Sequence, residues 1–304
     1  MLKDIFCFIL PALFLCSVSS PGEIRFEENP KTILWKISGN GLKKPSYLLG
    51  THHLLDSAWL FQFPKIKAAV DSSEFLLTEV FSTDPINLPV KSARSLKAVS
   101  IITSEQYQTL DSFFVVRVGE GIKNNTDAAE MNVAEMWDVI MQTLVADRAG
   151  GNGVNRSMDQ DLFNYFKSKG KKGDHLDKVK NYDFDSSRIN DARNVMQKAI
   201  ALIPGSDKPG WNIYSRNIDI QHVIDSYKQM NAPYELEKTD TPDQPVVLND
   251  YGTLEQRNRY WIPKIEKNMT GKSCLIAVGF AHLKYKTGLI VLLREKGYRV
   301  EPVL

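Results

Sequence analysis

Three short stretches of the 304-residue chain carry the residue types that could hold a metal ion. Tyr47-Leu48-Leu49-Gly50 runs into Thr51-His52-His53. Leu275-Ile276-Ala277-Val278-Gly279 runs into Phe280-Ala281-His282. Each is a G-x-x-H motif directly after an apolar run. Phe75-Leu76-Leu77-Thr78 leads into Glu79. Two imidazoles and a carboxylate can bind a divalent cation and leave positions open for water, the layout of a catalytic site rather than a closed structural one. A cation there would lower the pKa of its bound water and polarise a carbonyl, which is the chemistry of hydrolysis. His52 competes with His53 for the ligand role. The echo with Gly279 to His282 favours His53 and leaves His52 as a pocket-wall, substrate-binding residue. Each piece also has a plainer reading. A histidine after a strand is commonly a hydrogen-bonded structural group, and a strand glutamate can be an edge gatekeeper. The repetition in equivalent strand-to-turn contexts is what points to one shared site.

Such a site needs strands whose C-terminal ends share an edge, where open α/β sheets place their ligands. The sequence supplies them. Residues 32–38 and 46–49 read as strands joined by the turn residues Gly39-Asn40-Gly41 and Lys44-Pro45, so they predict a hairpin. Pro64 opens a helix over 65–70. Residues 74–80 form a third, more continuous apolar strand, and strand–helix–strand predicts a parallel pair. Helical spacing then dominates over 103–114, 127–148, 158–169, 186–203 and 214–230. The stretch 238–247 is a loop on composition. Thr253 with Gln256 forms a capping-box pattern for a helix to about 268. Strand (273–278), helix (287–296) and strand (298–303) close the chain. The expected fold is one α/β domain over residues 21–304. Its mixed, mainly parallel sheet comes from both ends of the chain, and a helical insertion occupies about 100–240. Gly50 and Gly279 are expected to let the backbone turn without a Cβ clash.

Composition narrows the function. Hydrophobic residues make up 43% and charged residues 24%, which excludes a disordered or low-complexity chain. Lys plus Arg is 38 against 36 for Asp plus Glu, a net charge of +2, so nothing resembles the concentrated basic face of a nucleic-acid binder. Residues 1–20 have Lys3, an apolar run from Ile5 to Leu15, then small residues. That is a secretory signal pattern, too short for a comfortable membrane span. It predicts an exported, soluble mature chain with a periplasmic, cell-surface or secreted address. Cys7 and Cys16 fall in this segment, which leaves Cys274 as a small core residue of a strand. His175, in a Lys- and Gly-rich stretch, is expected to be exposed. Lys167 to Lys172 reads as a solvated basic turn, and His222 as a structural histidine of a helix. No H-E-x-x-H, G-x-S-x-G or C-x-x-C is present, so zincin, serine-hydrolase and thioredoxin chemistries have no support.

The stretch from Ser46 to Val80 resembles the opening of the TraB/PrgY/GumN family, which includes the Tiki proteins. Residues 274–303 resemble its ending. Leu254-Glu255-Gln256-Arg257-Asn258 resembles its Arg-Asn helix, and the stretch from Met158 is a looser match to its central part. The resemblance implies a fold similar to erythromycin esterases and ChaN-like proteins, and a metal-dependent, peptidase-like hydrolase. Carried over by position, His53, Glu79 and His282 are the implied metal ligands. Glu79 is either a third ligand or the general base. Arg257 would bind a substrate carboxylate or stabilise an oxyanion, and Asn258 would contact substrate or hold a loop. Manganese, cobalt or zinc suits such ligands. A peptide or protein substrate follows. The alternative is a non-catalytic peptide-binding or sequestering protein of the PrgY type, using the same pocket. Two departures stand out. His52 replaces a more usually apolar residue, and Lys284-Tyr285-Lys286 replaces a small, Gly-containing link.

Overall fold

The computed structural model describes residues 29–52, 55, 57–84, 95–148, 158–178, 184–205, 220–239 and 253–304. The expected signal segment 1–20 and His53 lie outside the described residues. So does most of the 238–247 loop.

The described elements run in the order β1 (Leu34–Ser38), β2 (Ser46–Thr51), α1 (Ser57–Leu60), α2 (Pro64–Ser72), β3 (Phe75–Thr78), α3 (Ser104–Val118), α4 (Thr126–Glu130), α5 (Val133–Arg148), α6 (Met158–Ser168), β4 (Lys172–His175), α7 (Ile189–Ala201), α8 (Ile220–Lys228), α9 (Leu254–Met269), β5 (Cys274–Gly279), α10 (Leu289–Glu295) and β6 (Arg299–Pro302). The six strands form one mixed sheet in the order β4-β3-β5-β2-β1-β6. β2 and β3 are each parallel to β5, and β4 is parallel to β3. β1 is antiparallel to both β2 and β6. The C-terminal ends of β2, β3, β4 and β5 therefore share one edge.

Two expectations need correction. β2 and β3 are not direct neighbours, because β5 inserts between them. The last parallel strand of the chain thus brings the second G-x-x-H motif between the first motif and Glu79. The sheet is also not built from the two ends alone. Lys172-Gly173-Asp174-His175 is the edge strand β4, where the sequence reads as a basic turn and an exposed histidine. An edge strand has only one paired side, so charge is tolerated there and no apolar alternation announces it.

The central strands alternate with period two, and both faces are covered. Leu77, Ile276 and Leu48 form a row across β3, β5 and β2 on the face covered by α9 and α10. Leu76, Leu275 and Leu49 point to the other face, against Leu60, Ile66, Val70, Leu162 and Tyr227. Each such side chain is fully buried or nearly so and contributes about 1.5–3 kcal/mol. A third apolar cluster lies among α3, α4, α5 and α7, with Leu110, Met136, Ile140 and Met196 at its centre. Cys274 is buried in β5 as expected. The hairpin β1–β2 forms, and its turn places Gly39, Asn40 and Gly41 at positive φ.

α9 begins at the predicted capping box. Thr253 Oγ1 accepts from the Gln256 N–H, and Gln256 Oε1 accepts from the Thr253 N–H. The helix continues through Pro263, which stands on its exposed side. Its buried stripe is Asn258, Trp261, Ile262, Ile265 and Met269. Among the described residues, no helix is long and apolar enough to cross a membrane.

Candidate functional site

Four ionisable or hydrogen-bonding side chains meet at the C-terminal edge of the parallel strands. Glu79 follows β3, Asp177 lies two residues beyond β4, and His282 sits in a 3-10 turn after β5. Arg257 reaches them from α9. All four are largely buried: the side-chain exposures are 11% for Glu79, 6% for Asp177, 3% for His282 and 16% for Arg257. Arg257, the most exposed, forms the outer cover of the cluster.

The guanidinium is turned into the protein. Its Nε donates to Asp177 Oδ1 at 3.1 Å, and its Nη2 to Asp177 Oδ2 at 2.7 Å and to Glu79 Oε2. Its Nη1 lies 3.1 Å from His282 Nε2. Planar, forked donors suit this multiple pairing, which a lysine could not reproduce. The other oxygen of Glu79, Oε1, accepts the Gly279 N–H at 2.7 Å. Burial works against the charge on Arg257, but Glu79 and Asp177 outweigh it and hold the guanidinium above its ordinary pKa. Burial pushes the Asp177 carboxyl up, more than the bonds from Arg257 pull it back.

The tautomer of His282 follows from its neighbours. Asn258 is buried, and its Nδ2 donates to two carbonyls, those of His282 at 3.2 Å and Thr287 at 2.9 Å. Its Oδ1 is therefore the end that faces His282 Nδ1, 2.6 Å away, and it can only accept. The proton sits on Nδ1, and the Nε2 lone pair faces Arg257 and Glu79. Trp261 fixes the ring from the side, with centroids 4.4 Å apart, and donates its Nε1–H to Asp177 Oδ1 at 3.0 Å.

The Nε2 atom of His282 lies 3.7 Å from Glu79 Oε1. Metal bonds of about 2.1 Å to each could span up to about 4.2 Å, so one ion can reach both. An imidazole presenting a fixed lone pair, with its other nitrogen held by an amide, is also the arrangement that metal-binding histidines use. These two donors are of a type and spacing that could share one divalent cation. Among the described residues, no group of three His, Cys, Asp or Glu side chains is placed to hold a metal ion. One guanidinium N–H occupies the lone pair that an ion would take.

Of the predicted residues, Glu79, Arg257, Asn258 and His282 come together. His52 follows β2 and is half-buried, with its ring against Tyr227 at 5.2 Å between centroids. Tyr227 donates to the Gly50 carbonyl at 2.7 Å, and Thr51 Oγ1 donates to the buried Asp159 at 2.6 Å, so the end of β2 is tied down on both sides. His175 is partly buried beside Asp174, with Nδ1 2.9 Å from its carboxylate, and His222 lies on the exposed side of α8.

The glycine of the first motif has a different purpose from the one expected. The Gly50 backbone is not left-handed. A Cβ there would lie 2.8 Å from Phe280 Cδ2 and 3.3 Å from Phe280 Cα. Gly50 makes room for the second motif to pack against the first. Gly279 has φ −50 and ψ 135, which other residues adopt readily.

Asp177 is the residue that sequence reasoning missed, together with the contacts that the buried Trp261 makes to it and to His282. Those contacts were open to inference, since Trp261 stands four residues after Arg257 and three after Asn258 on the helix. Asp177 follows a strand without apolar alternation, so nothing marked it as an edge residue.

Comparison with known proteins agrees with the motif reading. The profile of the TraB/PrgY/gumN family matches residues 33–302. Neither curated proteins nor solved structures gave a match. The matched region runs from the first strand to the last and contains the whole cluster, and on that basis the chain belongs to the TraB/PrgY/gumN family.

Proposed function

We propose that this protein is an exported, metal-dependent hydrolase with a peptide or protein substrate. One observation carries the reading. The Nε2 lone pair of His282 faces Glu79 Oε1 across 3.7 Å at the shared end of the parallel strands. His53 completes the donor set in this reading, from the first G-x-x-H motif. Lys3 and the apolar run after it support export.

A bound manganese, cobalt or zinc ion would supply the Lewis acid that polarises a carbonyl and lowers the pKa of a water. The remaining work belongs to the chain. Asn258 holds the proton of His282 on Nδ1, so Nε2 keeps its lone pair as an acceptor. The Gly279 N–H anchors Glu79 at one oxygen. Glu79 then serves as a further ligand or takes the proton from water. Asn258 acts here through His282 rather than by touching substrate. His52 and Tyr227 form one wall beside the first motif.

Calorimetric titration of the mature chain with manganese, cobalt and zinc tests the proposal. Stoichiometric binding lost in His282→Ala and in His53→Ala is expected, followed by hydrolysis of members of a peptide library. Binding unchanged by both variants would remove the metal mechanism. A specific feature favours the second reading, peptide sequestration without catalysis: Arg257 already satisfies Glu79 and His282 without an ion. Peptide binding that survives chelators would point that way.

A further inference from the structure

We propose that Asp177 is a positioning residue for Arg257, whose guanidinium serves as the cation between Glu79 and His282 and would withdraw onto Asp177 if those two groups bound a metal ion. This rests on the metal reading above. Arg257 bridges two sets of partners at once. Its Nη1 faces His282 Nε2 and its Nη2 bonds Glu79, the two groups an ion would need. Its Nε and Nη2 also form a paired contact with Asp177, at 3.1 and 2.7 Å. The two sets share Nη2, which has one N–H for each carboxylate, while Nε serves Asp177 alone. A parallel, two-bond contact between guanidinium and carboxylate is geometrically complete by itself.

The surroundings fit this division. Asp177 is held by something other than Arg257, since Trp261 Nε1 donates to its Oδ1 at 3.0 Å. The Trp261 ring lies under the guanidinium, with the Arg257 carbon 4.8 Å from its centroid. A cation above an indole face and against a carboxylate keeps a favourable seat after it leaves Glu79. Leaving Glu79 and Asp177 buried with no cation would be costly, and Arg257 supplies one to both. A divalent ion held by Glu79 and His282 would add positive charge beside the guanidinium. Repulsion would then favour the guanidinium's contact with Asp177, the carboxylate of the described cluster that lies outside the proposed ligand set.

Two variants and their combination read this out in metal affinity. Arg257→Gln removes the competing cation, so zinc and manganese should bind about tenfold more tightly. Asp177→Asn removes the reserve seat, so both metals should bind about tenfold more weakly. In an Arg257→Gln background the same Asp177→Asn change should alter affinity less than about threefold, because Asp177 acts through Arg257. A purely structural role would weaken binding in every variant. A purely electrostatic role for Asp177 would give the same loss in both backgrounds. Either result overturns the proposal. The unmodified chain gives a check that needs no variant to fold. On titration with zinc, the Arg257 Nη signals in a nitrogen-15 spectrum should shift while its Nε–H stays hydrogen-bonded. Saturating zinc that leaves these signals unmoved would refute the withdrawal. If the wild type binds zinc but Arg257→Gln binds no more tightly, this inference fails alone. If neither binds zinc or manganese, the metal reading fails with it.

Discussion

Asn258→Ala should be among the most damaging single changes near the site, although Asn258 faces no solvent. The asparagine is 1% exposed, and its amide makes three hydrogen bonds. Alanine leaves His282 Nδ1–H, the His282 carbonyl and the Thr287 carbonyl without this partner. A buried group left unsatisfied costs about 1–3 kcal/mol. The Nδ1 contact, at 2.6 Å, belongs at the upper end of that range. The contact to the His282 carbonyl, at 3.2 Å, is long, and the one to Thr287 is only partly buried, so both belong near the lower end. The sum is roughly 3–5 kcal/mol. For a chain of this size that lowers Tm by roughly 10 °C. Calorimetric and urea unfolding would measure it. Nitrogen-15 spectra of the imidazoles would show the second effect, since His282 should lose its fixed Nδ1–H form. Metal affinity should then fall about 10–100-fold, as when other partners that orient metal-bound histidines are removed. Asn258→Asp would separate the two effects, because it keeps an acceptor for Nδ1–H and loses both donated bonds. Stability of Asn258→Ala within about 0.5 kcal/mol of wild type, the range of an ordinary surface change, would refute the reasoning.

Three further outcomes follow from packing and burial. Gly50→Ala should cost about 1–3 kcal/mol in urea unfolding, because the added methyl must push Phe280 away from the first motif. It should also weaken metal binding, because Phe280 begins the turn that carries His282. Tyr227→Phe removes a buried hydroxyl that donates to the Gly50 carbonyl at 2.7 Å, and unfolding should show a loss of about 1–2 kcal/mol. Burial pushes the Cys274 thiol up to about 12. At pH 8 it should therefore resist a disulfide reagent in the native chain lacking residues 1–20, and react at the rate of unfolding. Prompt native-state labelling would show that β5 opens without global unfolding.

The sequence made the central strands readable because they are buried on both faces and carry continuous apolar runs. Leu48, Leu77 and Ile276 need no tertiary information to be read as core. The long helices were equally legible, as was the cap of α9, where Thr253 and Gln256 do what their spacing predicts. β4 was hidden because an edge strand need not be apolar. Its absence from the reading also hid Asp177, since the position of a side chain at a sheet edge cannot be inferred before its strand is known. The strand order was hidden for a different reason. Nothing local to Cys274–Gly279 says which strands it will lie between, and β5 separating β2 from β3 is a property of the assembled sheet.

The same distinction explains what the motifs could and could not reveal. A G-x-x-H motif after an apolar run marks where an imidazole leaves a strand, and for His282 that position is the one the structure occupies. It does not report what the imidazole will meet. The partners of His282 come from α9, where Asn258 sets its tautomer, Trp261 packs on its ring and Arg257 faces its lone pair. Read alone, Arg257 looks like a donor waiting for substrate. Its geometry instead joins two carboxylates and an imidazole within the protein. The strand ends supply candidate ligands, and the helix decides which of them are available. On the metal reading, ion binding thus requires both the histidines and a guanidinium that can give up its contacts to Glu79 and His282.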